Sequence, residues 1–216
     1  MREEPNAVLV LGIGNLLWAD EGFGVRVVEE LDRRFCFPSH VRLLDGGTQG
    51  IYLVQDIRET DILVVFDAID YGLVPGTLKL IHGDDVPAFL GAKKMSLHQT
   101  GFQEVLAMAA MLGDYPEHIL LVGVQPAQLE DFGGSLTDPV KAQIEPAITA
   151  ALDYLAKFDI RPTLRAEKPQ TDLTGELALV RYEGERPSEA VACRTGDERI
   201  LASLARDEAD LREARS

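Results

Sequence analysis

Cysteine is scarce in this sequence. Cys36 and Cys193 are the only two among 216 residues, far apart and in no CxxC spacing, which argues against a disulfide framework or a thiolate zinc site and sets a reducing, cytoplasmic location as the expectation. Long hydrophobic runs are missing as well. No unbroken apolar stretch reaches the ~20 residues that span a bilayer. The apolar run behind the polar, acidic residues 1–6 breaks at Gly12, short of a signal-peptide core with its cleavage site. Basic residues are in deficit, 21 Lys and Arg against 36 Asp and Glu for a net charge of -15. That balance opposes nucleic acid and anionic membrane surfaces and leaves a protein or small molecule as the expected partner. The excess sits early: residues 1–156 hold 23 acidic and 10 basic side chains, whereas residues 157–216 are nearly balanced at 13 and 11.

Several active-site signatures are also absent. No Gly-Lys-Ser/Thr follows the glycine turn, no G-x-S-x-G elbow occurs, and there is no HExxH pair, which removes the phosphate-loop, hydrolase-elbow and zincin readings. A dinucleotide fingerprint is suggested by Gly12-Ile-Gly14 behind an apolar run and by Asp45 at the end of the next. It fails in detail, because the third glycine position holds Leu17, and Asp20 and Glu21 would face the pyrophosphate. The serine nearest a histidine base is Ser96, two residues before His98, and neither cysteine has helix-start or basic surroundings. Acid, imidazole and metal chemistry remain.

What is present is a core-forming composition, 46% hydrophobic, in a strand–turn–helix rhythm. Residues 7–12, 62–66 and 119–124 are short apolar runs of the kind that form buried strands, and residues 41–44 are strand-like. Residues 77–81 alternate with period two behind Pro75-Gly76 and predict an antiparallel edge strand. Val27, Val28, Leu31 and Phe35 mark an amphipathic helix, residues 51–57 a short one, and residues 98–112 a longer one. Thr137-Asp138-Pro139 opens a last helix that runs to about Lys157 and should kink or restart at Pro146. The predicted fold is α/β, a three-layer α/β/α arrangement around a twisted, mostly parallel sheet of about five strands. Residues 1–158 form this domain. Residues 159–216, broken by Pro162, Pro169, Gly175, Gly184 and Pro187, read as a polar C-terminal extension, partly disordered, with residues 198–215 able to form a terminal helix.

Ligands of parallel α/β sheets bind outside the carboxyl ends of the strands. Glu21 follows the first strand, Asp45-Gly46-Gly47-Thr48 the second and Asp67 the third, while His98 opens the helix leading into the last. Glu21, Asp67 and His98 thus offer two oxygen ligands and one nitrogen from three connections, a mixed set suited to a borderline divalent ion with open positions. Singly, each has an ordinary structural reading: Glu21 and Asp20 favouring a helix dipole by roughly 0.3 to 1 kcal/mol, Asp67 capping a loop, His98 bonding to backbone. Their common edge makes the joint reading worthwhile. His40, His82 and His118 read as structural or surface residues.

The segments 11–25, 44–48, 66–68, 96–99 and 121–126, with Ile144-Glu145-Pro146-Ala147 beyond them, together resemble the nickel-iron hydrogenase maturation protease family. The resemblance covers about residues 7–156. It implies an endopeptidase that removes a short C-terminal extension from the hydrogenase large-subunit precursor once nickel is inserted. It places Glu21, Asp67 and His98 on the family's metal-binding positions, reading nickel presented by the substrate rather than permanently bound. Glu21 and Asp67 would then flank the scissile bond, and Asp45 would assist catalysis or position the substrate, with a metal-activated water or an aspartate base, as in an aspartyl protease, completing hydrolysis. A non-catalytic nickel-sensing or nucleotide-binding maturation chaperone of the same fold is the alternative. No role carries over to the extension.

Overall fold

The apolar run after residue 7 becomes β1, Val8–Ile13, every residue of it buried. In the computed structural model, which describes residues 6–87, 97–167, 169 and 173–186 and leaves out the side chains of residues 97–101, β1 is flanked by two parallel strands. These are β3, Val41–Gly47, and β4, Ile62–Ala68. Strand β6, His118–Val124, extends the sheet parallel to β4, and β5, Leu78–His82, closes it antiparallel to β6, giving the order β3-β1-β4-β6-β5. The expected mostly parallel five-stranded sheet with an antiparallel edge is observed.

Alternation along the strands builds two cores. Val8 and Val10, Ile62, Val64 and Phe66, and Leu120 and Val122 face helices α1, Phe23–Arg34, and α5, Ile144–Ala156. Leu9, Leu11, Leu63, Val65, Ile119 and Leu121 face the opposite layer, formed by α2, Val54–Arg58, and α3, Leu97–Leu112. No helix among the described residues is long and apolar enough to cross a membrane.

The last core helix breaks earlier than Pro146. Helix α4, Asp138–Lys141, stops at Ala142 and Gln143, and α5 restarts at Ile144, so Pro146 lies in a first turn. The reason is steric: a proline ring clashes with the carbonyl four residues upstream, which is that of Ala142.

The described part of the expected polar extension is folded against the domain. Strand β7, Thr163–Leu164, pairs with β2, Phe35–Cys36, at the end of α1. A 3-10 turn, Gly175–Leu177, then leads into α6, Leu179–Glu185. Arg26 of α1 is only 3% exposed. Its guanidinium donates to Glu29 at 2.7 Å and to the Leu177 carbonyl, and stands 5.5 Å over the Tyr182 ring. The Leu179 amide donates to Glu29 at 2.8 Å, and Glu183 accepts from Ser135 at 2.8 Å and Lys141 at 2.6 Å. The residue-158 boundary therefore does not mark the end of the packed structure. The predicted terminal helix, residues 198–215, lies outside the described residues.

Two outcomes follow from this packing. A Cβ on Gly24 would stand 2.1 Å from the Phe66 carbonyl and 2.4 Å from that of Ile13. Gly24→Ala should therefore cost about 3 kcal/mol and lower the melting temperature by roughly 6 to 12 °C; an unaltered melt contradicts the contact. Docking raises the pKa of Glu183, but hydrogen bonds from Lys141 and Ser135 and the charges of Lys141 and Arg186 outweigh this and leave it lowered. A lowered folded value contributes stability above the unfolded pKa of about 4.3 and loses it as pH falls through the folded one. Glu183→Gln should accordingly speed amide exchange in α6 at pH 7, and the difference from the parent should shrink on acidification.

Candidate active site

The carboxyl edge of the sheet is shaped by close backbone contacts. Gly14, at φ +130°, lets the Glu21 carbonyl come within 1.7 Å of where a Cβ would stand, and Gly24 admits the Phe66 carbonyl. The 3-10 turn Ala19–Gly22 is thereby pressed onto the ends of β1 and β4. Glu21 is thus brought beside Asp67, the residue after Phe66. The same packing fills with protein backbone the space that a pyrophosphate would need, in agreement with the missing third glycine.

Asp67 is 3% exposed and shares the sheet face of Leu63 and Val65. Its carboxylate accepts the Ala68 amide, but Oδ2 has no hydrogen-bond partner among the described residues. Burial, reinforced by the charge of Glu21, pushes its pKa well above the ordinary carboxylate range, and the Ala68 amide offsets only part of this. Glu21 is itself half-buried, with its pKa raised by burial. A desolvated pair of like charges with a buried oxygen lacking a donor is costly. A cation bound by hard carboxylate ligands would relieve both terms, so this donor set fits a divalent ion.

His98 is the second residue of α3. That helix packs on the Asp67 face through Phe102, Val105 and Leu106. Sixteen helical residues span about 24 Å, close to the roughly 23 Å of the seven-residue β6. Helix α3 ends near the start of β6, so its first turn returns to the carboxyl edge. The His98 side chain lies outside the described residues. Among those described, no three His, Cys, Asp or Glu side chains are grouped to hold a metal.

Asp45 is not brought into the Glu21 and Asp67 pair. In register it stands beside Gly12, which on its other side meets Phe66, so Asp45 and β4 are two strand spacings apart, about 9.5 Å. Asp45 also faces α1. Burial raises its pKa, against a lowering by the Gly47 amide and by Arg26, with Glu29 raising it again.

Two further residues shape the site in roles that sequence reasoning missed. Asp20, fully buried, accepts the amides of Ala127 at 2.8 Å, Gln128 at 2.9 Å and Thr137 at 2.7 Å, and the Thr137 hydroxyl at 3.0 Å. Instead of serving its own helix dipole, it pins the loop after β6 over the site. Tyr71 lays its hydroxyl against Gly123, the residue paired with Asp67 across β4 and β6. Burial, and then the charge of Asp67, raise its phenol pKa, so it remains protonated. Gln125 fixes this loop by accepting the Tyr71 and Leu73 amides at 2.8 and 3.0 Å. The four-residue offset from Asp67 to Tyr71 lies in a loop and has no periodicity to read. A separate groove of about 600 Å³ between β5 and α5, lined by His82, Leu120 and Tyr154, opens on the other face of the sheet from Asp67.

The sign of the Asp67 effect on stability is fixed by its shift. A raised folded pKa means that the favourable protonated state is complete below the unfolded value near 3.9 and is lost as pH rises through the folded value. Asp67→Asn, which cannot ionise, should melt higher than the parent at pH 7 in metal-free buffer, with the gap closing towards pH 4. A lower melting temperature at neutral pH would contradict the burial cost.

The family model for hydrogenase maturation protease matches residues 25–154. The hydrogenase expression/formation protein HupD of Thiocapsa roseopersicina is 62% identical over 208 residues, 94% of this chain and 93% of that relative. The hydrogenase 2 maturation protease of Escherichia coli is 44% identical over 154 residues, 71% of this chain and 93% of its own length. The solved structure of the hydrogenase maturating endopeptidase HybD from E. coli superposes with a TM-score of 0.70 at 40% identity, covering 74% of this chain and 98% of that one. With a model over more than half of its length and close relatives along nearly all of it, the chain belongs to the hydrogenase maturation protease family and is a peptide-bond hydrolase.

Proposed function

We propose that this endopeptidase removes a short C-terminal extension from the large-subunit precursor of a nickel-iron hydrogenase, and that Glu21, Asp67 and His98 receive the nickel that the precursor carries. The observation behind this reading is the buried Asp67 Oδ2, without a donor among the described residues, beside a second desolvated carboxylate. Such a pair gains most from a cation that arrives with the substrate. A precursor without nickel offers nothing to relieve the repulsion, so loading is coupled to docking. Docking in turn fixes the scissile bond at the carboxyl edge, and proximity supplies the selectivity.

Hydrolysis then needs a water and a proton acceptor at that edge. Glu21 and Asp67 supply the carboxylates, and burial raises the pKa of each above its ordinary value, which makes them better proton acceptors than exposed carboxylates. Asp45 acts from the other face by holding the Asp45–Gly47 turn and so positions the substrate. The exposed free thiol of Cys36 and the absence of any CxxC spacing support a reducing, cytoplasmic setting.

The test is co-expression of the precursor with the parent enzyme, Glu21→Ala or Asp67→Ala, followed by the intact mass of the large subunit. The parent should deliver the shortened subunit, and each variant should slow processing by about 100-fold or more. Variants that process normally would remove Glu21 and Asp67 from the site. Shortening by the parent in nickel-depleted cells would remove the nickel.

A further inference from the structure

Ala19 lies at φ +38°, a left-handed conformation that a residue with a side chain adopts under strain, immediately before Asp20 and Glu21. Strained backbone persists only where its surroundings hold it. Here the loop after β6 holds it at two places. Trp18 and Phe132 form an antiparallel bridge, with the Gly133 amide donating to the Leu17 carbonyl at 2.7 Å and the two rings edge-on at 5.4 Å. The Asp20 amide donates to the Gln128 carbonyl at 3.1 Å, while the Asp20 carboxylate accepts the amides of Ala127, Gln128 and Thr137.

The same loop is gripped by the C-terminal extension. The Arg186 guanidinium donates to the Gly133 carbonyl at 3.3 Å, the Tyr182 hydroxyl to the Gly134 carbonyl at 3.3 Å, and the Ser135 hydroxyl to Glu183 at 2.8 Å. Three consecutive loop residues are thus bonded by α6 and the residue after it. Glu183 also pairs with Lys141 of α4 at 2.6 Å, four residues beyond the Thr137 that binds Asp20. The extension is in turn fixed to α1, by Arg26 on the Leu177 carbonyl and over the Tyr182 ring, and by the Leu179 amide on Glu29. Since α1 begins directly after Gly22, the contacts run in a closed ring of turn, α1, extension, loop and turn again. The turn that carries Glu21 is one link of that ring.

We propose, resting on the function above, that Tyr182, Glu183 and Arg186 are positioning residues of the protease, which by holding Gly133, Gly134 and Ser135 keep the loop after β6 on the Ala19–Gly22 turn and so set Glu21 beside Asp67. Their effect passes through the loop. An extension that served stability alone would be felt by the domain as a whole. This one ends on the loop that the strained turn leans on, so its loss loosens that turn first: Ala19 relaxes and carries Glu21 with it, while β1 and β4, buried along their whole lengths, stay in register. A displacement of about 1 Å at a reacting group is enough to slow a reaction by about 100-fold.

The test combines Tyr182→Phe, Glu183→Ala and Arg186→Ala in the full-length enzyme, which strips the loop contacts and keeps a ring beneath Arg26. Arg165→Ala is the control, because Arg165 ties the extension to the opposite end of α1, through the carbonyls of Asp32 at 3.0 Å and Phe35 at 3.2 Å. Trp18 is the chain's single tryptophan, so its emission and acrylamide quenching report the turn against the loop with no substrate present. At a temperature where both proteins are folded, the triple variant should show red-shifted, more readily quenched emission. On purified nickel-loaded precursor its kcat should fall about 10-fold or more, with KM raised by less than that, while the control melts lower but emits and cuts like the parent. Parent-like emission or an unchanged kcat in the triple variant overturns the proposal, whatever its melting temperature, and so does an equal loss of kcat in the control. If the triple variant does not fold, Ser135→Ala, which removes one hydroxyl from the loop, decides: it should show the same changes in smaller measure, and parent-like values overturn the proposal. A parent enzyme that never cuts the precursor sinks the function instead, and Trp18 emission still settles whether the extension sets the turn.

Discussion

The start of α1 lies against the ends of β1 and β4 closely enough that Gly24 touches the Phe66 carbonyl. Glu21 can reach Asp67 only because of this approach, since a side chain at position 24 would lift the whole Ala19–Gly22 turn from the sheet. Asp20 then holds the loop after β6 onto the same turn through its carboxylate. Backbone packing thus comes first, the carboxylate pair second, and the walls of the site third.

The pair is kept at a cost. Asp67 is buried, faces a like charge and leaves one oxygen without a donor among the described residues. Buried carboxylates usually have several donors, and Asp20, one residue from Glu21, shows what a satisfied one looks like in this protein. The contrast between the satisfied carboxylate of Asp20 and the unsatisfied oxygen of Asp67 is the clearest physical mark of the site.

That contrast could not be read from the sequence, because the partners that satisfy Asp20 lie more than a hundred residues away. Asp67 was legible, since an acid directly after a run such as Ile62–Phe66 can only stand at a strand end. The sheet was legible for the same reason: its buried strands are unbroken apolar runs, and β5 alternates. Asp45 looked equivalent to Asp67 as another acid after an apolar strand, yet strand parity turns it to α1. The packed part of residues 159–186 left no trace, because its contacts, Arg26 to the Leu177 carbonyl and Lys141 to Glu183 among them, join residues far apart in sequence. Pro146 was read as the breaking point, whereas its effect falls on the carbonyl four residues earlier.

Arg26 links the two ends of the chain in time as well as in space. Glu29 is three residues away, but the Leu177 carbonyl is 151 residues downstream. A ribosome making this protein therefore releases α1 long before the partner that seals its buried guanidinium exists. The contact that seals Arg26 is therefore made by a segment synthesised after nearly all of the domain, although α1 is among the first elements to be translated.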